Sequence, residues 1–208
     1  MRTCIYVDGF NLYYRALKDT PYKWLNLATM CRLILPPTNT LTAITYFTAR
    51  VQPRAADPQQ ATRQQTYLRA LATLPMLSIV FGSFLSTTIR MPLAHPPVQG
   101  PRTVEVIKTE EKGSDVNIAS HLIHDAHRRR FDVAVLVTND SDLAEPVRLV
   151  TQELGLIVGI LYPGAKQSRT LCRYATFVRP IRTGVLAASQ FPPTLTDTHG
   201  TFHKPSVW

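Results

Sequence analysis

Residues 132–142, which read DVAVLVTNDSD, decide the fold. The first part, 132–137, is a short apolar run rich in β-branched residues, which is typical of a strand covered on both faces of a sheet. Directly after it come Asn139, Asp140 and Asp142, so the chain changes from apolar to acidic within a few residues. In parallel α/β sheets, ligands gather where the strands end at their carboxyl side. The stretch therefore predicts a buried strand that leads straight into a polar site.

Similar apolar runs lie on both sides of this stretch and alternate with helical patterns. Strands are predicted over 3–7, 41–51, 77–81, 132–137, 156–161 and 177–181. Helices are predicted over 10–17, 27–35, 57–74, from 114 onward, 143–154 and 168–174. Continuously apolar strands that alternate with helices favour a mainly parallel α/β sheet with helices on both faces.

Two regions lack this regular pattern. Between 83 and 109, extended fragments flank the Pro-rich stretch MPLAHPPVQGP, which favours either an edge hairpin or a mobile arm. After Arg182 the chain loses its periodicity and gains Pro, Thr and Ser. We therefore expect one domain over residues 1–182, followed by a flexible Pro/Thr-rich C-terminal tail over 183–208.

The composition excludes several classes of protein. The 208 residues are 45% hydrophobic, which suits a single globular core rather than a disordered chain. No apolar run approaches the roughly 18 residues of a membrane-spanning helix, and the N-terminus lacks the apolar core of a signal peptide. The three cysteines are far apart, which argues against a disulfide framework and a cysteine zinc site. We expect a soluble, cytoplasmic protein with no membrane partner.

The charge of the chain points to a polyanionic partner. There are 23 Lys and Arg residues and 14 Asp and Glu residues, which gives a net charge of +9 and favours nucleic acid. Basic side chains that are candidates to follow a phosphate backbone form two groups: Arg128, Arg129 and Arg130, and Lys166, Arg169 and Arg173. Solvated helix ends, where cations also complement the helix dipole, explain these residues equally well.

The few acidic residues fall at informative places. Asp8 follows the first predicted strand, Asp140 and Asp142 follow the strand at 132–137, and Asp115 lies in the first turn of a helix. If the two strands are neighbours, these carboxylates converge and repel one another unless a cation is present. Such an oxygen cluster suits Mg²⁺ or Mn²⁺. Taken singly, each aspartate is explained about as well by a turn or a helix cap.

Three segments together resemble the NYN domain of the PIN-like superfamily, and are most similar to its LabA-like branch. They are IYVDGFNLYY at 5–14, EKGSDVNIASHLI at 111–123 and VAVLVTNDSDLAEPVRLV at 133–150. The resemblance runs from about residue 3 to residue 181. It implies a Rossmann-like, PIN-like fold with three α/β/α layers around a mainly parallel central sheet. It also implies a divalent-metal-dependent ribonuclease with Mg²⁺ or Mn²⁺ as cofactor and RNA as partner.

The resemblance also implies roles for particular residues. The residues that match the acidic positions of the family, and so would hold the metal, are Asp8, Asp115, Asp140 and Asp142. Asn11 matches the asparagine that shares the site, and Lys112 matches the lysine of the K-G-x-D segment, for which we expect contact with the scissile phosphate. The expected reaction is hydrolysis of RNA phosphodiester bonds by metal-activated water, cutting within the chain.

Two positions depart from the family pattern. Asn139 stands where the family has glycine or another small residue, and Thr176 stands where an acidic residue is typical. Thr176 and the basic charge are compatible with an alternative function, a catalytically weak or inactive NYN-type module that binds RNA or a partner protein. The sequence leaves the oligomeric state open, and a homodimer is one alternative.

Overall fold

The computed structural model describes residues 1–208 and contains ten strands and seven α-helices. The strands are β1 (Arg2–Asp8), β2 (Thr40–Thr48), β3 (Leu77–Phe81), β4 (Ser83–Pro92), β5 (Thr103–Lys112), β6 (Val133–Val137), β7 (Ile157–Tyr162), β8 (Phe177–Pro180), β9 (Thr194–Asp197) and β10 (Gly200–His203). The α-helices are α1 (Gly9–Leu12), α2 (Leu27–Ile34), α3 (Gln60–Ala72), α4 (Ser114–His127), α5 (Ala144–Arg148), α6 (Arg169–Cys172) and α7 (Thr183–Ala188). Two of them, α1 and α5, continue into π-helical turns over Tyr13–Leu17 and Leu149–Glu153.

Six parallel strands form the central sheet in the order β3-β2-β1-β6-β7-β8. The order reverses between β1 and β6, which pair directly with Val7 opposite Val137. A crevice opens at the carboxyl ends of the strands at such a reversal. The predicted α/β class, the parallel sheet and the neighbouring position of these two strands are confirmed.

Helices cover both faces of the sheet. Successive side chains of a strand point to opposite faces, so the apolar residues of β1 need a cover on each side. Ile5 and Val7 of β1 belong to a core of 25 buried residues that α2 and α3 cover. Cys4 and Tyr6 belong to a second core of 15 buried residues, which α4 and α5 cover. The fold therefore has three α/β/α layers. None of its helices is long and apolar enough to cross a membrane.

The region after β3 forms a hairpin separate from the central sheet. β4 and β5 pair in antiparallel register from Ser83 opposite Lys112 to Pro92 opposite Thr103. At its base, a side chain at Gly82 would place its Cβ 2.5 Å from the Lys112 carbonyl oxygen, so only glycine fits there. Of the two structures that the sequence left open for this region, the hairpin is the one observed, and it returns the chain directly to α4.

The prediction of a flexible tail over 183–208 is wrong. This segment forms α7 and the β9–β10 hairpin, and its Phe191 and Phe202 are buried. Both rings pack on the fully buried Trp24, at centroid distances of 5.9 and 6.5 Å. The apolar residues are too widely spaced among Pro and Thr to give a periodic pattern, but burying them against Trp24 stabilises the segment.

Candidate metal centre

Asp8 lies at the reversal of strand order, where it ends β1 and caps α1. Its side chain is 5% exposed and accepts hydrogen bonds from the Asn11 backbone N–H at 2.9 Å and the Thr138 hydroxyl at 3.0 Å. Burial raises the pKa of Asp8 to about 6, with smaller contributions from Asp115 and Asp140, although the two hydrogen bonds oppose the shift. Charge on Asp8 is therefore less favoured than on an exposed aspartate, and a bound cation would compensate for this.

Two further carboxylates face Asp8 from neighbouring elements. Asp140 follows β6, and Asp115 lies in the first turn of α4. Oxygen atoms of Asp8, Asp115 and Asp140 all lie within 4.8 Å of one another. Burial raises the pKa of Asp115, and the nearby Asp140 raises it further. The structure thus brings together three of the four acids that the sequence singled out, in a geometry that suits a hard divalent cation.

The fourth acid, Asp142, lies outside this group. It is exposed and belongs to a 3₁₀ turn over Ser141–Leu143, and its backbone N–H donates to Asp140 Oδ1 at 3.0 Å. Asp142 is near enough to contribute to the raised pKa of Asp115. The structure therefore places it beside the acidic cluster rather than in it, and sequence spacing alone could not separate Asp140 from Asp142.

Two asparagines connect the cluster to the loop before α6. Asn11 accepts a hydrogen bond from the Asn139 backbone N–H at 3.0 Å. The Asn139 side chain is buried; its Nδ2 donates to the Lys166 carbonyl at 2.8 Å, and its Oδ1 accepts from the Ser168 N–H at 2.6 Å. Asn139, at the position where the family has a smaller residue, thus fixes a basic loop beside the carboxylates.

The lysine predicted from the K-G-x-D segment does not reach the cluster. Lys112 is exposed and pairs with Glu110 at 3.2 Å within the hairpin. Its neighbour Glu111, which the sequence analysis did not single out, turns inward and accepts from the N–H and the hydroxyl of Ser114 at 3.2 and 2.9 Å. No sequence pattern separated Glu111 from the other acids of the hairpin, and only its hydrogen bonds to Ser114 at the start of α4 reveal its inward orientation.

A cleft of about 270 Å³ opens above the three carboxylates. One cation, Arg15, lines it, in the π-helical turn that follows α1. The remaining lining residues are Asp8, Phe10, Asn11, Tyr14, Glu111, Ser114, Asp115 and Asp140. Arg15 belongs to no recognisable sequence motif, and only the fold places its charge beside the acids.

The two predicted basic groups lie in different places. Arg128, Arg129 and Arg130 follow the far end of α4, roughly 20 Å from Asp115 at 1.5 Å per residue, and Arg130 pairs with Asp125 at 2.8 Å. The structure therefore does not bring this group to the site. Lys166 lies in the loop that Asn139 holds. Arg169 is the first residue of the short α6 that follows, and Arg173 comes directly after that helix.

Thr176 lies away from the carboxylates. It precedes β8 and its hydroxyl accepts from the Val158 N–H at 3.2 Å, near the amino ends of the strands. Asp8 lies at the carboxyl ends and three strands across the sheet. A carboxylate at position 176 would not reach the cluster, so its absence removes no candidate metal ligand.

Residues 2–181 match the NYN domain family, over the same segments that supply Asp8, Asp115 and Asp140. The chain belongs to the NYN domain family. Its assignment to the LabA-like branch stays a prediction.

Two known proteins are similar to this NYN domain protein. The 6-hydroxy-3-succinoylpyridine 3-monooxygenase HspA from Pseudomonas putida (strain DSM 28022 / S16) is 32% identical over an alignment that is 238 residues long with its gaps. The alignment covers all of this chain and 75% of the relative. The crystal structure of VPA0982, a protein of unknown function from Vibrio parahaemolyticus RIMD 2210633, superposes with a TM-score of 0.56 at 16% identity, covering 88% of this chain and 93% of the other. The second likeness concerns the fold alone.

Proposed function

We propose that this NYN domain protein is a divalent-metal-dependent ribonuclease that cleaves phosphodiester bonds within RNA. The observation that carries the proposal is the convergence of Asp8, Asp115 and Asp140, with oxygens within 4.8 Å of one another in an open cleft. The chain as a whole carries a net charge of +9, which favours association with a polyanion such as RNA.

The donor set fits Mg²⁺ or Mn²⁺. Asp8, Asp115 and Asp140 offer only carboxylate oxygens, which hard divalent cations prefer. Burial raises the pKa of both Asp8 and Asp115, and neighbouring carboxylates raise both values further. When bound, such an ion supplies a water of lowered pKa and stabilises negative charge on a phosphate. The same residues would hold the ion directly or through retained waters.

The surrounding residues orient these acids and add positive charge. Thr138 and the Asn11 N–H fix both oxygens of Asp8, so the carboxylate enters the site in one orientation. Arg15, in the wall of the cleft, is placed to bind a substrate phosphate, and a charge-assisted contact of this kind favours the transition state of phosphoryl transfer. The loop that carries Lys166 extends the basic surface beyond the cleft.

Cleavage of end-labelled single-stranded and hairpin RNA in Mn²⁺, Mg²⁺ or EDTA tests the proposal. The wild type is expected to cut internally in the presence of metal only. Asp8→Asn and Asp140→Asn are expected to lose at least a hundredfold in rate while remaining folded by circular dichroism. The exposed Asp19→Asn is the matched control, since it removes an acid outside both the cluster and the cleft. Metal-independent cleavage, or unchanged rates in both cluster variants, would contradict the proposal.

A different outcome of the same experiment supports the alternative stated from the sequence. Saturable RNA binding in every metal without cleavage would identify an RNA-binding module. Binding by Asp8→Asn equal to that of the wild type would show that the acids contribute nothing to it.

The similarity to HspA favours a second candidate activity, oxygenation of a hydroxypyridine ring. The alignment covers the whole of this chain and 75% of HspA. A monooxygenase needs dioxygen and two electrons for each turnover, so the test supplies 6-hydroxy-3-succinoylpyridine with air, reduced nicotinamide cofactor and flavin. Formation of a hydroxylated product would establish this activity, and consumption of neither ring substrate nor reductant would exclude it.

A further inference from the structure

A second cavity of about 280 Å³ adjoins the acidic cleft. Phe10 and Tyr14 line both, whereas none of the three clustered acids lines the second cavity. The walls come from the turn after α1, from β2, from α3 and from Trp208. The volume lies just below the lower end of the ~300–1,000 Å³ range of small-molecule sites.

The inner walls of this cavity are aromatic. Tyr67 and Trp208 meet at a centroid distance of 5.9 Å and an angle of 66°, and Tyr46 and Tyr67 at 6.3 Å and 84°. Edge-to-face packing of these rings leaves flat apolar surfaces toward the cavity. Surfaces of this kind favour a planar ring as the occupant.

A hydroxyl group without a hydrogen-bond partner faces the same space. Tyr46 is 7% exposed and lines the cavity, and its hydroxyl makes no hydrogen bond in the structure. The hydroxyl of the neighbouring Tyr67, in contrast, donates to the Leu25 carbonyl at 2.9 Å. Gly9 packs against the Tyr46 ring so closely that a Cβ there would lie 2.6 Å from the hydroxyl oxygen. Because Tyr46 lines the cavity, a polar ring atom of an occupant can form a hydrogen bond with this free hydroxyl.

Positive charge surrounds the mouth of the cavity. Among the lining residues the only acid is Asp57, and it pairs with Arg63. Lys23 and Arg54 also line the cavity and form no ion pair. Cationic side chains that have no acidic partner and lie beside an apolar interior favour a ligand with a negatively charged group.

We propose that this cavity binds a single heteroaromatic ring that carries an anionic group. The ring lies between Tyr46, Tyr67 and Trp208, with a polar ring atom at the Tyr46 hydroxyl, and the anion lies near Lys23 and Arg54. Two sources share this chemistry: a nucleotide with its phosphate, and a small aromatic acid. The site is additional to the proposed cleavage of RNA, because no clustered acid contributes to it.

Isothermal titration of the whole protein with uridine 5′-monophosphate and with 6-hydroxynicotinate tests the inference. Succinate, an anion without a ring, and 2-hydroxypyridine, a ring without an anion, are the control ligands. At least one ring-bearing anion is expected to bind with one-to-one stoichiometry, tenfold tighter than either control, and to quench tryptophan fluorescence because Trp208 lines the cavity. The tighter of the two probes identifies the source.

Three variants assign the binding to this cavity. Tyr46→Phe is expected to weaken binding about 2- to 10-fold, the effect of one neutral hydrogen bond, and Arg54→Gln by at least as much. Arg102→Gln, on the exposed β4–β5 hairpin, is the matched control and keeps the wild-type affinity.

Three results would overturn the inference: no saturable binding of either ring-bearing anion, succinate binding as tight as theirs, or unchanged affinity in both cavity variants. RNA cleavage by the same samples is measured in parallel. If the protein cleaves RNA with metal but binds neither ring-bearing anion, only the inference about this cavity is overturned. If it binds a ring-bearing anion but does not cleave RNA, only the proposed ribonuclease activity is overturned.

Discussion

The amide of Asn139 holds the backbone of Lys166, since its Nδ2 donates to that carbonyl at 2.8 Å while its Oδ1 accepts from Ser168 at 2.6 Å. One side chain directly after β6 therefore fixes the position of a loop that follows β7. Through this contact, the basic loop and the carboxylates occupy a fixed relation to each other.

Replacing this side chain is expected to affect RNA affinity more than the chemical step. Asn139→Ala removes two hydrogen bonds but leaves the backbone contact to Asn11. At about 0.5–1.5 kcal/mol for each bond, we expect Kd for RNA to rise roughly 5- to 100-fold. Fluorescence anisotropy in EDTA measures the affinity, and single-turnover cleavage in Mn²⁺ measures the rate. A large fall in the single-turnover rate at saturating RNA would show instead that Asn139 positions the reacting groups.

Divalent metal is expected to stabilise the protein through the acidic cluster. Binding to the folded state alone contributes about 2.7 kcal/mol at a metal concentration 100 times Kd, which raises Tm by several degrees for a chain of this size. Asp115→Asn removes one ligand and also relieves repulsion with Asp140. Its Tm without metal is therefore expected to equal or exceed that of the wild type, with the rise on adding Mn²⁺ largely lost. A rise equal to that of the wild type would place the ion elsewhere.

The close contact between Gly9 and Tyr46 makes a specific prediction about stability. In Gly9→Ala the new Cβ would lie 2.6 Å from the Tyr46 hydroxyl and 2.7 Å from the Phe47 carbonyl oxygen. Overpacking of this kind costs about 1–3 kcal/mol, measured as a lower free energy of unfolding in urea. Gly184→Ala is the matched control, because nothing lies within 4 Å of its Cβ and alanine favours the helix. If Gly9→Ala and Gly184→Ala were equally stable, the close approach of Gly9 to Tyr46 and Phe47 would be contradicted.

The ion pair between Arg69 and Asp197 predicts a loss of stability in acid. Its two bonds, both 2.7 Å, join α3 to the C-terminal hairpin, and the Arg69 guanidinium holds the pKa of Asp197 well below its usual range. A carboxyl group with a lowered pKa stabilises the fold above its unfolded pKa of about 4, and that contribution is lost as the pH falls further. Asp197→Asn is expected to be less stable than the wild type at pH 7, with the difference shrinking below pH 4. A difference in stability between the variant and the wild type that stays constant with pH would show that the variant acts through packing rather than through the ion pair.

Restoring the family's acidic residue at position 176 is expected to change little. Thr176 lies near the amino ends of the strands, so the carboxylate of Thr176→Asp cannot reach Asp8. RNA cleavage rates of the variant should stay within twofold of the wild type. A rate increase of tenfold or more would show that this position communicates with the cluster.

The sequence predicted the parts of the fold that repeat a local pattern. The continuous apolar residues of β6 and the helix predicted from residue 27 onward are confirmed, because burial and helix formation depend on patterns that span a few residues. The convergence of Asp8 and Asp140 also followed from sequence, since both come directly after neighbouring parallel strands. The position of Asp115 in the first turn of a helix was likewise predicted from the residues, and the family resemblance independently implied that it belongs to the site.

The remaining parts depend on contacts between distant residues. Glu111 and Lys112 are adjacent in sequence, yet only the position of the hairpin turns one inward and the other outward. The C-terminal segment gave no periodic signal, because its ordered state depends on Trp24, which lies far away in the sequence.

The late position of that segment has a consequence for biosynthesis. Trp24 is translated early, yet Phe202 and Trp208, which cover it, come from the end of the sequence, at centroid distances of 6.5 and 6.4 Å in the finished fold. Synthesis of residues 183–208 takes roughly 1–5 s at about 5–20 residues per second. Throughout that interval the nascent chain lacks the aromatic rings of Phe202 and Trp208 that cover the indole of Trp24. Chaperones that recognise apolar surface therefore have a defined time window and a defined target on the ribosome.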